Sequence, residues 1–84
     1  MNSKQVKTLQ TLFETPVSAA IAWADIESLL LAVGCDLVEG SGSRVRFVKG
    51  DEMETFHRPH PAKEAKRYQA RAAREFLIRL GETP

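Results

Sequence analysis

The sequence is poor in the devices that hold small proteins together. It has one cysteine, Cys35, which cannot close an internal disulfide and is too few for a structural zinc site. Its longest nearly apolar run, Val17 to Ala24, is far short of a membrane span and contains Ser18. The opening stretch MNSKQVKTLQ has no apolar segment of the kind a secretory signal needs. Internal repeats and low-complexity tracts are missing as well. These absences leave a cytoplasmic protein with no staple and no membrane contact as the expectation, and nothing in the sequence asks for a cofactor.

What is there has the make-up of one small folded domain over residues 1–84. Hydrophobic residues are 43% and charged residues 27%, a balance that suits a globular chain rather than a disordered one. A chain this short builds only a modest core, so stability on the order of a few kcal/mol is expected. The net charge of +1 conceals a division. Residues 1–41 carry two lysines against five acidic residues, a balance of −3, whereas residues 42–84 carry ten basic against six acidic residues, a balance of +4. A basic half raises the case for a polyanionic partner; a solvated basic helix explains the same charges.

Periodicity divides the chain into six elements. Val6, Leu9, Leu12 and Phe13 recur at helical spacing within Ser3 to Glu14, with Asn2 or Ser3 available as N-cap and Thr15-Pro16 as terminator. A second helix is expected from Trp23 or Ala24, with Ile26, Leu29, Leu30 and Val33 as its buried stripe and Gly34 as its left-handed stop. The period then shortens to two. Cys35, Leu37 and Glu39 alternate with Asp36 and Val38, and after the Gly40-Ser41-Gly42-Ser43 turn, Val45 and Phe47 alternate with Arg44 and Arg46. Gly50-Asp51 suits a two-residue type II′ reversal into a third strand, Glu52 to His57. Arg58-Pro59-His60-Pro61 interrupts regular structure, and a last helix is expected from Lys63 to Leu80, with Ala70, Ala73, Leu77 and Leu80 on one face and Gly81 closing it. The fold class is α+β: a three-stranded antiparallel sheet with helices on one face.

The tight reversal fixes which side chains meet. With Gly50 and Asp51 at its centre, Lys49 faces Glu52, Phe47 faces Glu54 and Val45 faces Phe56 on the covered side. Arg46 then faces Thr55, and Arg44 faces His57, on the open side. Opposed residues have Cβ atoms roughly 4.5–5.5 Å apart, so a guanidinium and an imidazole become neighbours. Arginine offers forked donors to phosphate oxygens, and histidine exchanges a proton near neutral pH. RNA cleavage requires a base for the 2′-hydroxyl, an acid for the leaving oxygen and cations for the phosphorane. The plainer reading is that His57 ends a strand and the arginines solvate an exposed face.

His57 and His60 are the two candidates for acid and base. Their odd separation points them to opposite sides of an extended chain, although a bend at Arg58-Pro59 would bring them together. Two imidazoles and a distant Cys35 are too few ligands for a metal site. Trp23 and Phe76 read as core residues, and Cys35 as a small buried hydrophobe. Candidate RNA contacts are Ser43, Arg44, Arg46, Arg58, Lys63, Lys66, Arg67 and Arg71.

From Ile21 to Gly81 the sequence resembles the HicA family of bacterial toxin–antitoxin ribonucleases. The likeness rests on Leu29-Leu30-Leu31-Ala32-Val33-Gly34 ending a helix and on the Gly42-Ser43 turn feeding a strand. Phe56-His57-Arg58-Pro59-His60-Pro61 and then Lys63-Glu64 opening the last helix complete it. The resemblance implies a double-stranded-RNA-binding-domain-like fold (α-β-β-β-α), here with residues 3–14 as an extra N-terminal helix beside a 21–81 core. It implies an endoribonuclease toxin that cleaves mRNA and arrests translation, and a HicB-type antitoxin that covers the active face. The toxin is then a monomer within that complex and is prone to self-association through a sheet edge when alone. Family members usually read Gly-Ser-His where this chain reads Gly42-Ser43-Arg44. Arg44 stays protonated and is a poor base. Either His57, across the ladder, or His60, before the last helix, supplies the imidazole, or cleavage is lost and only RNA or antitoxin binding remains.

Overall fold

Gly50 decides how the chain doubles back. It adopts φ +59° while Asp51 stays at negative φ, the combination that a type II′ reversal requires and that matches the right-handed twist of the flanking strands. In the computed structural model, which describes residues 1–84, this turn joins β2 (Arg44–Lys49) to β3 (Glu52–His57). The pairs are Arg44 with His57, Val45 with Phe56, Arg46 with Thr55, Phe47 with Glu54, Val48 with Met53 and Lys49 with Glu52. β1 (Asp36–Glu39) lies on the other side of β2, also antiparallel, so the sheet order is β1-β2-β3.

Three helices pack with that sheet: α3 (Arg67–Arg79) lies against β3, α2 (Trp23–Ala32) meets it through Trp23 on Phe56, and α1 (Ser3–Leu12) packs on α2 and α3. The arrangement is the α+β fold expected from the sequence. Val45, Phe47 and Phe56 from the strands pack with Ile26, Leu29, Leu30, Phe76 and Leu77 from the helices in one core. Trp23 and Phe76 are buried within it, as is Cys35. Phe56 sits between two rings, 5.2 Å from Trp23 and 6.0 Å from Phe47 by centroid, the latter edge-on. No helix is long and apolar enough to cross a membrane.

The α2 end shows how a local signal becomes structure. Gly34 takes φ +103°, and the amides of Gly34 and Cys35 donate to the carbonyls of Leu31 and Leu30, at 3.1 Å each. This double closure is a Schellman motif, with buried Cys35 and Leu30 as its apolar clasp. It also delays the first strand, which begins at Asp36 rather than Cys35.

Two expectations need correction. The buried face of α1 is turned by one position: Val6 is 38% exposed, while Thr8, Leu9 and Leu12 are buried. The inward polar groups are satisfied. Gln5 Nε2 donates to Ser28 Oγ at 2.9 Å, and the Thr8 hydroxyl donates to the Lys4 carbonyl at 3.0 Å. Hydrogen bonds to α2 and to its own backbone thus select a face that apolar spacing alone does not show. The second correction concerns Lys63-Glu64, which does not open the last helix; α3 begins at Arg67. Residues 63–65 are extended against the entry to α2, where Trp23 N–H donates to the Lys63 carbonyl at 2.9 Å and Ala65 N–H to the Ile21 carbonyl at 2.8 Å. Ala22 has no side-chain acceptor for the exposed amides of α2, and the Lys63 carbonyl supplies one instead.

Phe47 is fully buried between the sheet and the helices. Phe47→Ala is expected to cost about 3–5 kcal/mol, enough to populate the unfolded state in a domain of this size. Phe47→Leu should cost less, and urea-denaturation midpoints measure both.

Candidate nucleic-acid interface

The strand pleat sorts side chains before any specific chemistry enters. On the open side, Arg44 and His57 form one cross-strand row, Val38, Arg46 and Thr55 a second, and Asp36, Val48 and Met53 a third. Successive rows on a strand are about 6.6–6.8 Å apart. Arg44, Arg46, Thr55 and His57 are all exposed. Neither arginine takes part in an ion pair or a side-chain hydrogen bond. A shallow hollow of about 140 Å³ beside them is lined by Val38, Glu39, Gly40, Arg44 and Arg46. A larger hollow, about 330 Å³, lies against α1 and includes Lys4, Lys7, Ser18 and Asp25. None of the open-face residues lines the larger hollow, so size does not identify the chemically equipped surface.

The last helix is tied to the end of β3 by a residue that spacing did not single out. Gln69 is buried, its Nε2 donates to the His57 carbonyl at 2.6 Å, and its Oε1 accepts from the Lys66 amide at 3.0 Å. One side chain therefore holds both the strand that carries His57 and the first turn of α3. The only sequence signal was a glutamine three positions after the residue preceding the helix, half of a capping box. Lysine at position 66 lacks the acceptor that would have completed the pattern.

Lys63, Lys66, Arg67 and Arg71 are exposed and unpaired around this junction. Lys63 and Lys66 precede the helix, while Arg67 and Arg71 lie on it. Ser43 is exposed, and its carbonyl accepts from the Arg58 amide at 2.9 Å, extending the ladder beyond Arg44 and His57. His60 is exposed in the following loop. His57 ends β3, His60 lies in the loop that follows, and the two share no hydrogen bond with each other. No three His, Cys, Asp or Glu side chains converge on a common point.

Arg58 does not belong with the free cations. It follows His57, so the pleat directs it to the covered side. Its Nε donates to Glu27 Oε2 at 2.7 Å, while Nη1 and Nη2 donate to Glu39 at 2.8 and 3.0 Å. The Trp23 indole N–H donates to the same Glu27 carboxylate. Arg58 thereby clamps the end of β3 to α2 and the end of β1. Hydrogen bonding to Glu39, then to Glu27, raises the guanidinium pKa still further. The Arg58 hydrogen bond lowers the pKa of Glu39 from its ordinary 4.5. The sequence contained the parity that excludes Arg58 from the open face; nothing in it marked Glu27 and Glu39 as its partners.

A family model described as HicA toxin of bacterial toxin-antitoxin matches residues 23–80. No curated protein and no solved structure matches the chain.

Arg58→Ala is expected to lower stability by about 1–2 kcal/mol, the scale of charge-assisted hydrogen bonds with partial solvent screening. The salt dependence of any RNA binding should stay unchanged. The Glu39 contribution is present above the ordinary carboxylate pKa and is lost as pH falls through the lowered folded value. Glu39→Gln should therefore flatten the acid limb below about pH 4.5, as measured by thermal melts across that range.

Proposed function

Because the chain belongs to the HicA family of bacterial toxin–antitoxin toxins, we propose that this toxin uses its open sheet face to bind and cleave mRNA, and that a HicB-type antitoxin blocks that face. The observation that carries this reading is the exposed row of Arg44 and His57, a guanidinium free of carboxylates beside an imidazole. Its site of action is then the cytoplasm, where mRNA is available, and the active unit is a monomer released from the antitoxin.

Arg44 and Arg46 hold the phosphate oxygens around the scissile bond and offset the charge that builds on the phosphorane. His57 takes the proton from the 2′-hydroxyl as that oxygen attacks phosphorus. The bond from phosphorus to the 5′-oxygen breaks, and the departing oxygen takes a proton from an acid, for which His60 is the candidate. The products are a 2′,3′-cyclic phosphate and a 5′-hydroxyl. These side chains provide the proton transfers and the charge without a metal ion. Ser43, Lys63, Lys66, Arg67 and Arg71 extend the binding surface along the RNA, whereas Arg58 acts through the fold.

A second reading is RNA or antitoxin binding without cleavage. It is favoured by Arg44 at the position where the resemblance expects a catalytic histidine. Controlled expression separates the two. His57→Ala should abolish growth arrest and reduce transcript cleavage by about 10²–10⁴-fold, with His60→Ala reducing it if that imidazole is the acid. Cleavage retained in His57→Ala would reject His57 as the base, and a wild type that cleaves nothing would leave the binding-only reading.

A further inference from the structure

Apolar rings are normally withdrawn from water, and this chain obeys that rule with one clear departure. Trp23, Phe47, Phe56 and Phe76 are buried, and Phe13 packs against the core. Tyr68, the only tyrosine, is 60% exposed. Its neighbours along α3, Gln69 and Ala70, turn inward, so the helix presents the ring outward while it anchors itself beside it. Arg79 stacks over Phe76 at 5.2 Å, yet no cation covers the Tyr68 ring and its hydroxyl forms no hydrogen bond. The ring is an unoccupied flat surface.

Its surroundings narrow what that surface takes. Arg67 adjoins Tyr68, and Arg71 lies one turn along the same side of the helix. Both are exposed and without carboxylate partners, as are Lys63 and Lys66 just before the helix. Free cations around an exposed ring match a single strand of nucleic acid, in which phosphates need positive charge and each base has a flat face to stack. The first turn of α3, which carries the ring, is tied to the end of β3, since Gln69, the next residue, donates to the His57 carbonyl at 2.6 Å.

We propose that Tyr68 is a stacking platform for an unpaired base of a bound RNA strand, with Arg67 and Arg71 holding the adjacent phosphates. This rests on the RNA-binding reading and adds a positioning residue to it. Stacking requires a ring but not a hydroxyl, and it is insensitive to salt, whereas the phosphate contacts are salt-sensitive.

The test is binding of a short 2′-O-methylated single strand, and of its abasic counterpart, to the full chain by fluorescence anisotropy over a salt series. Tyr68→Ala should weaken binding about 5- to 100-fold without changing the salt slope, and Tyr68→Phe should restore wild-type affinity. Removing the bases should weaken the wild type and have little effect on Tyr68→Ala. Arg71→Ala should instead reduce the salt slope by roughly 0.7. Wild-type affinity in Tyr68→Ala would overturn the stacking role while leaving RNA binding intact, as would a Phe variant as weak as the Ala variant. A Tyr68→Ala defect confined to the complex with an antitoxin would identify the ring as a protein contact and overturn the proposal. A wild type with no salt-dependent RNA affinity would overturn both this inference and the function it rests on.

Discussion

The reversal at Gly50-Asp51 governs the rest because a strand has only two sides. Once Lys49 is paired with Glu52, every residue from 44 to 57 is assigned to the helices or to the open face, with no intermediate choice. A slip of one position would put Phe56 on the side of Arg44 and Arg46 and His57 on the side of Val45 and Phe47, so that no orientation of the sheet could bury all three apolar side chains. The apolar burial on one side and the cationic surface on the other are therefore one constraint seen twice.

That division also sorts the ion pairs. On the covered side of the sheet, Glu39, Lys49, Glu52, Glu54 and the adjoining Arg58 all have charged partners, through Glu27, Glu82, Arg79 and each other. On the open side, Asp36, Arg44 and Arg46 have none. Charges near the helices are partly desolvated and find counterions, while those facing water need none for stability. Charges left unpaired by the fold are available to a ligand, and they are mostly positive. The near-neutral total of +1 thus gives little indication of what the open surface presents.

Much of this was legible in the residues. The strand register, the Gly34 stop, the burial of Trp23 and Phe76 and the side-by-side placement of Arg44 and His57 all follow from short-range rules of spacing and turn geometry. The family match over residues 23–80 agrees with the resemblance carried by the same segments. The start of the last helix was not legible, because Lys63 and Glu64 are good helix formers whose backbone is taken by the entry to α2. Nor was the face of α1, where Gln5 and Thr8 turn inward because hydrogen bonds satisfy them. Arg58 has the composition of another surface cation, although its alternation with His57 puts it on the covered side, where Glu27 and Glu39 hold it.

The order of elements, the two-sided sorting of the hairpin and the identity of its open-face residues follow from spacing and turn chemistry, since these depend on neighbours a few positions apart. Packing in three dimensions was needed before Gln69 could hold His57 to the last helix, Glu27 and Glu39 could capture Arg58, and Tyr68 could stand uncovered among free cations. Those outcomes depend on groups brought together from distant parts of the chain, and their partners are chosen by packing, to which local periodicity is blind.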